Sequence, residues 1–374
     1  MTHQGRLRLA VAGVGNNISA LLQGVYYYRQ LIEEQGEDEL PGITTLRVGA
    51  FMPTDIEFVA AYEVDPNKVG KDLTEGVLAA PNNYPRLEVP LPMQGVRIEP
   101  GLPHPGSGCH DQVVTSLTGS GADVLLYSLP SGLQWAATEY AQAALAAGVA
   151  FVNCTPDEVA RDGAMLKAFE DSGLPLVGDD LRSHLGASVV HRALLALLVE
   201  RGITLDTSYQ VNFGGNEDFR NLRERGQSKR ESKLRALAQP GVSSSQVEVI
   251  PSAGYVRHLA DQKVAHINIE GRGWAGTGVS VDVKLKVQDS SNASGVIIDL
   301  IRIAAACQRL GWGGFPAPAV RGLKSPPDGC ESLTPAEVDA AARELDEAAE
   351  ALGLPGHEDG PRLPPSGGQP TARG

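Results

Sequence analysis

Short apolar runs alternate with helical periodicity over the first 200 residues, the rhythm of crossover units on a parallel sheet. Arg6 to Val14 reads as a strand, Asn17 to Arg29 as the helix after it, and Glu57 to Val64 as the next strand. EEQGEDELPG, within residues 30–48, reads as a polar insertion between them. From residue 64 to about 120 the chain is rich in Pro and Gly and its pattern assigns no elements. ADVLLYSL (122–129), GVAFVNC (148–154) and LPLVGDD (174–180) are apolar enough for buried strands, with helical stretches such as WAATEYAQAALAAG between them. Each run ends at a polar or Gly/Pro turn, the edge at which open α/β sheets hold ligands.

After SHLGASVVHRALLALLVERG (183–202), which keeps helical spacing, the pattern changes. TSYQVNF, VEVIP, VAHINIEGRG and VSVDVKLKV alternate with period two and carry β-branched residues, as in a half-buried, mostly antiparallel sheet. NASGVIIDLIRIAAACQRL (292–310) returns to helical spacing and is expected to dock back on the first sheet. Thr334-Pro335-Ala336-Glu337 combines a capping box with Pro at the first helical position and opens a last helix. The stretch from Gly356 is rich in Pro and Gly and reads as a disordered tail.

Charge narrows what such a chain binds. Its 374 residues carry 45 acidic and 32 basic side chains, a net charge of −13, so the surface as a whole repels nucleic acid and anionic lipid. An anionic ligand must then be held by a local basic cluster. Cys109, Cys154, Cys307 and Cys330 form no CxxC pair, which argues against a zinc ribbon or disulfide framework and for a reducing cytoplasm. Cys154, at a strand end, reads as a small buried hydrophobe. Apolar stretches fall short of the roughly 20 residues of a membrane span, and the N-terminus enters a strand rather than the apolar core of a signal peptide. No His/Cys/Asp cluster has metal-ligand spacing.

Gly13-Val14-Gly15-Asn16-Asn17-Ile18 follows a strand and opens a helix, so the backbone from Gly13 and Gly15 to Asn16 and Asn17 can receive a pyrophosphate. Ile18 stands where the third glycine of GxGxxG would fall. The next strand ends at Glu63-Val64-Asp65, and an acid there can hydrogen-bond the ribose hydroxyls of NAD and disfavour the extra phosphate of NADP. Glu63 is preferred for this and Asp65 held in reserve; the insertion at 30–48 accounts for the wide spacing. The predicted class is α/β: a Rossmann-type doubly wound parallel sheet binding NAD (1–205), then a second α+β domain with a mostly antiparallel sheet for catalysis and oligomerisation (206–291). C-terminal helices returning to the first domain (292–355) and a tail (356–374) complete the expected organisation.

Polar groups gather beyond what packing requires at GDDLRS (178–183), NFGGNED (212–218), SKRESK (228–233), DQK (261–263), QDSSN (288–292) and GLKSPP (322–327). Each alone is a solvated turn, except that Asp179-Asp180 ends an apolar strand at the edge where catalytic groups collect. With GVGN at 13–16, these blocks in this order resemble inositol-3-phosphate synthase, in its bacterial and archaeal branch, from about residue 6 to 327.

The resemblance implies an NAD-dependent, redox-neutral cyclisation of glucose 6-phosphate to 1D-myo-inositol 3-phosphate. The C5 hydroxyl is oxidised, C6 loses a proton, the enolate attacks the C1 aldehyde, and the C5 ketone is reduced again. Lysine suits such work, because burial beside another cation lowers its pKa towards neutrality. The resemblance puts Lys229, Lys233, Lys263 and Lys324 at the family's catalytic positions. Lys263 is expected to handle the C5 hydroxyl proton, Lys229 and Lys324 to stabilise the C5 oxyanion and enolate. Lys233, with Ser183 and the Gly215-Asn216 backbone, would hold the phosphate; Asp180 and Asp261 would orient nicotinamide and lysines, with Asp289 beside them. A homotetramer assembled through the second domain's sheet is implied as well.

The chain also departs from the family. Arg182 stands where Lys is usual, His184 where Gln is usual, and Leu129 to Gln134 where the family reads closer to LPVGSE. A planar guanidinium is not equivalent to an ammonium. These changes lie near the expected sugar or phosphate, so the alternative is the same chemistry on fructose 6-phosphate, where attack on the C2 ketone closes a five-membered ring. Four mutually repelling lysines disfavour a non-catalytic NAD-binding protein, and an ordinary dehydrogenase would accumulate NADH.

Overall fold

The computed structural model describes residues 5–36, 40–220, 234, 237 and 239–353. Six strands, β1 (Leu7–Ala12), β2 (Ile56–Glu63), β3 (Ile98–Pro100), β4 (Val124–Tyr127), β5 (Ala150–Asn153) and β6 (Leu176–Val177), form a sheet in the order β3-β2-β1-β4-β5-β6. All its pairings are parallel, so both faces must be covered by crossover helices. Alternation along β1 shows how: Leu7, Leu9 and Val11 enter the core under α1 (Asn16–Gln35) and α7 (Asp289–Leu310), while Ala10 and Ala12 enter the core under α3 (His110–Ser120) and α4 (Gln134–Ala147). The remaining helices are α2 (Leu73–Leu78), α5 (Gly163–Asp171), α6 (Ala187–Glu200) and α8 (Pro335–Ala351).

A second sheet, of β7 (Thr204–Gly214), β8 (Val247–Tyr255), β9 (Gln262–Arg272) and β10 (Gly278–Gln288), has the order β10-β9-β7-β8. Two of its pairings are antiparallel and β7 pairs with β8 in parallel, which fits the mostly antiparallel sheet expected. Leu195 and Leu198 of α6 pack on its inner face against Val247, Val249, Ile267 and Ile269.

Three expectations need correction. The polar stretch after Arg29 does not interrupt the fold at residue 30, because α1 continues to Gln35; Glu33, Glu34 and Gln35 are good helix formers, and Gly36, at φ +84°, ends the helix. The helix expected from Asn292 begins at Asp289, where an acid in the first turn complements the helix dipole. The unassigned stretch from 64 to 120 contains α2, β3 and α3, the first two being six and three residues long, too short for periodicity to show. The capping box at Thr334 is present, its side chain accepting from the Glu337 amide at 3.3 Å. The tail from Gly356 lies outside the described residues.

α7 is fixed to residues 45–51 by Arg302, which has no exposed surface. Its guanidinium donates to the carbonyls of Thr45 (2.8 Å), Leu46 (2.8 Å) and Phe51 (3.3 Å) and pairs with Asp299. Truncating it leaves a half-buried carboxylate and three carbonyls without these donors. Arg302→Ala is therefore expected to lose about 3–5 kcal/mol of stability, read as a lower urea midpoint; a midpoint within error of the parent would show that this anchor is dispensable.

Candidate active site

The parallel strands deliver their C-terminal ends to one edge, and β1 and β4 diverge there at the topological switch point. Gly13 turns the chain with φ +89°, and a Cβ on it would lie 2.7 Å from the Ser128 carbonyl oxygen, so only glycine fits. Gly15 caps α1 without a side-chain bond, and a Cβ there would meet nothing within 4 Å. Open space thus lies before a helix N-terminus whose first amides have no side-chain cap, an arrangement that accepts a diphosphate.

Glu63, at the end of β2, folds back on this loop. Its carboxylate accepts from the amides of Val14 (2.9 Å), Val64 (2.8 Å) and Asp65 (3.3 Å). Lys68 lies beneath the same loop, 3% exposed, donating to the Val14 carbonyl (2.8 Å) and to Asn82 Oδ1 (2.9 Å), with Glu63 Oε2 at 4.0 Å. Burial lowers its pKa, opposed by the charges of Glu63, Asp65 and Glu217. The sequence reading missed Lys68, and it missed Asn82 and Asn83; paired asparagines between prolines in PNNYP were the available signal.

Asp261 stands at the junction of the two sheets, with no exposed surface. It accepts from Asn16 Nδ2 (2.9 Å), Ser290 Oγ (2.6 Å), the Ser290 amide (3.0 Å), Gln288 Nε2 (3.2 Å) and Asn216 Nδ2 (3.4 Å). Burial raises its pKa and the two Ser290 bonds oppose the rise. Asn16, expected at the cofactor through its place in the loop, turns its side chain to this junction and to Asn83 (2.7 Å), whose amide group donates to the Gly215 carbonyl (3.0 Å). Asn17 instead donates to Ser128 Oγ (3.1 Å).

Asn216 also donates to Asp289 (3.0 Å), and Asp289 accepts from Lys263 Nζ (3.2 Å), which lies over the Phe219 ring at 5.5 Å. Asp261, Asp289, Asn216 and Lys263 therefore form one connected cluster. Gly215 is pressed under the turn at 256–260, where a Cβ would approach Val256 O and Ala260 N to 2.6 Å.

The second lysine pair lies at the end of β6. Lys324 Nζ donates to Asp180 Oδ1 at 2.7 Å, and the chain at 324–325 is clamped to 179–180 by backbone bonds of 2.7–3.1 Å. Asp180 takes a left-handed φ of 56° within this clamp. The following segment reaches the first cluster: the amides of His184 and Leu185 donate to the carbonyl (2.9 Å) and side chain (2.7 Å) of Asn292, one turn along α7 from Asp289. Ser183 sits between these ties. Lys229 and Lys233 lie outside the described residues, as does the SKRESK block. No group of three or more His, Cys, Asp or Glu among the described residues could hold a metal ion, and no helix among them is long and apolar enough to cross a membrane. Burial pushes the Cys154 thiol up to about 12, leaving it an unreactive hydrophobe.

A Rossmann-type sheet with a loop open before a helix N-terminus, joined at that edge through Asp261 to a mixed sheet that carries Lys263 paired with Asp289, defines an α/β fold of the nucleotide-binding type with a second sheet beside it. Residues 186–290 match the family model described as myo-inositol-1-phosphate synthase. The chain is 39% identical to the inositol-3-phosphate synthase of Mycolicibacterium smegmatis over 346 residues, covering 87% of this chain and 94% of that one. It is 39% identical to that of Corynebacterium glutamicum, covering 86% and 94%. Among solved structures, Ari2 is 59% identical with a TM-score of 0.86, covering 92% of this chain and 99% of that one. A myo-inositol-1-phosphate synthase-related protein from Thermotoga maritima, 24% identical, shares the fold with a TM-score of 0.71, covering 92% and 98%. The chain belongs to the inositol-3-phosphate synthase family, a family of isomerases.

Asp179 supports the site from behind. It has no exposed surface and accepts from Asn153 Nδ2 (2.7 Å) and the amides of Val159 (2.9 Å), Ala160 (3.1 Å) and Arg161 (3.2 Å). Burial pushes its pKa up to about 6 against those donors. A carboxyl raised in the folded state binds its proton more tightly there than in the unfolded chain, so its contribution is present below pH 4 and is lost as pH rises through 6. A rise of that size corresponds to on the order of 3 kcal/mol. Asp179→Asn is expected to remove that component of the pH 4 to 7 stability profile, measured by urea unfolding at each pH; an unchanged profile would contradict the assignment.

Proposed function

We propose that this protein is an NAD-dependent, redox-neutral cyclase that converts glucose 6-phosphate to 1D-myo-inositol 3-phosphate. The observation that carries the reading is that the Lys324–Asp180 pair opens the 180–185 segment and that this segment is bonded to Asn292, one turn from the Asp289 that pairs with Lys263, at the sheet edge that also holds the Gly13–Gly15 loop. Bound NAD supplies a hydride acceptor that can give the hydride back. The open space before Gly15 and the first amides of α1 suit its diphosphate, and Glu63 suits its ribose.

The chain's own residues divide the remaining work. Lys263, as its neutral amine, takes the C5 hydroxyl proton as C5 is oxidised, while Lys324, as an ammonium, opposes negative charge on the C5 oxygen and on the enolate formed when C6 gives up a proton. C6 then bonds to C1 as the C1 carbonyl π bond opens, the new C1 alkoxide takes up the proton that C6 released, and the hydride and the Lys263 proton return to the C5 ketone. Asp289 and Asp180 position the two lysine side chains, and Asp261 holds the junction from which Lys263 projects. Lys229 is assigned beside Lys324, and Lys233 with Ser183 and the backbone at Gly215 and Asn216 to the phosphate, on the resemblance of the sequence blocks. We assign residues 1–205 to the cofactor, 206–291 to catalysis and assembly, and 292–355 to the helices returning to the first sheet. Exposed Tyr209 and Ile250, on the face of the second sheet away from α6, support a homotetramer built through that face, and four cysteines without a disulfide support a cytoplasmic setting.

A second reading is favoured by one observation: the unusual Arg182 and His184 flank Ser183, the residue assigned to the phosphate. On this reading fructose 6-phosphate is the substrate and the C2 ketone is the carbon attacked, giving a five-membered cyclitol phosphate.

Incubation of pure protein with NAD and each sugar phosphate decides between them by which one yields a non-reducing cyclitol phosphate. Product from neither defeats both, and stoichiometric NADH indicates a dehydrogenase. On the productive sugar, Lys263→Ala is expected to lower turnover by ~10²-fold or more with NAD binding retained; near-normal turnover would remove Lys263 from the chemistry.

A further inference from the structure

We propose that Lys68 is a positioning residue for the diphosphate of the cofactor, which it serves without touching it, by fixing the direction of the peptide between Val14 and Gly15. This role deepens the NAD reading above and rests on it.

The turn after β2 carries Lys68 inward. Its amide donates to the Asp65 carbonyl (2.9 Å), and the Asp65 side chain accepts from the Asn67 amide (2.9 Å). Only 3% of Lys68 is exposed, and a buried ammonium is costly unless its protons are bonded. Nζ donates to the Val14 carbonyl at 2.8 Å and to Asn82 Oδ1 at 2.9 Å. Glu63 Oε2 lies 4.0 Å away, too long for a hydrogen bond, so the ammonium is directed by a peptide and a side-chain amide rather than by its counter-ion.

Asn82 closes a triangle with these groups. Its Nδ2 also donates to the Val14 carbonyl (3.1 Å), which occupies both lone pairs of that oxygen. Asn82 alone would satisfy the carbonyl, so hydrogen bonding within the fold does not require a second, charged donor there. On the other side of Val14, Glu63 accepts from the Val14 amide (2.9 Å). In a planar trans peptide the carbonyl and the amide that follows it point in opposite directions. With the Val14 carbonyl drawn inward to Lys68, the Gly15 amide must face outward, where a Cβ on Gly15 would meet nothing within 4 Å. Among the described residues the Gly15 amide donates no hydrogen bond. A cation on the carbonyl polarises the peptide and makes its N–H the stronger donor, and the same charge, one peptide beneath the loop, attracts an anion bound above it.

Calorimetric titration of the full-length protein with NADH, ADP and adenosine tests this. Lys68→Met keeps the aliphatic stem and removes the ammonium. Its affinity for NADH and for ADP is expected to fall by on the order of tenfold or more, with adenosine, which lacks the diphosphate, bound as by the parent. Asn82→Ala withdraws the other donor from the Val14 carbonyl and should show the same selective loss to a smaller degree, which carries the test if Lys68→Met does not fold. Failure of the parent to bind NADH would defeat the cofactor reading and this role with it. Where the parent binds NADH, unchanged affinity for NADH and ADP in a folded variant would overturn the role alone. So would an equal loss for adenosine, by showing that Lys68 acts through Glu63 and the ribose or through the fold at large.

Discussion

Burying a carboxylate is costly unless donors replace the water it loses, and the donors that Asp261 recruits come from both halves of the molecule. Asn16 belongs to the loop after β1, Asn216 to the end of β7, and Gln288 and Ser290 to the turn where β10 becomes α7. One residue thus sets the position of the cofactor-type loop, the second sheet and the helix that returns to the first. Lys263, two residues further along β9, and Asp289, next to Ser290, inherit their placement from it. Because each donor is itself buried or half-buried, a shift of one element would leave polar atoms unpaired on the others, which keeps the site's geometry narrow.

The elements that the sequence revealed are those whose burial imposes a period. β1, β4 and β5 are covered on both faces and so are apolar but for Arg8 and Asn153; β7 to β10 show one face to a helix and so alternate. What stayed hidden has other causes. The 80s loop makes its contacts through Asn82 and Asn83, whose side chains bond the distant carbonyls of Val14 and Gly215, and no local pattern records such partners. Arg302 sits in an apolar helix as a fully buried charge, satisfied by carbonyls some 250 residues away. Among the site residues, the acids at strand ends could be found because position in the sheet gives them meaning, and the lysines could be found only through resemblance, since an isolated Lys in a polar turn carries no mark of its use.

Electrostatics links these observations. A chain with net charge −13 would hold phosphates poorly unless its cations were concentrated, and at the sheet edge Lys263 and Lys324 are each paired with an aspartate that fixes their direction. The pairs keep ammonium groups in the folded protein at a tolerable cost before any substrate arrives.

The segment from Asp180 to Leu185 explains how chemistry and selectivity can be separated within this fold. Its backbone is tied at Asp180 to Thr155 and Lys324, at Arg182 to Gly322 (2.7 Å), and at His184 to Asn292. These bonds involve main-chain atoms, so the identity of the side chains at 182 and 184 does not alter them. Arginine for lysine at one position and histidine for glutamine at the other can therefore reshape what lies beside Ser183 while the backbone that carries Asp180, and the Lys324–Asp180 pair with it, stays in place. On the proposed reading, selectivity among hexose phosphates would be set by side chains mounted on a fixed strap, and one frame would serve either ring size.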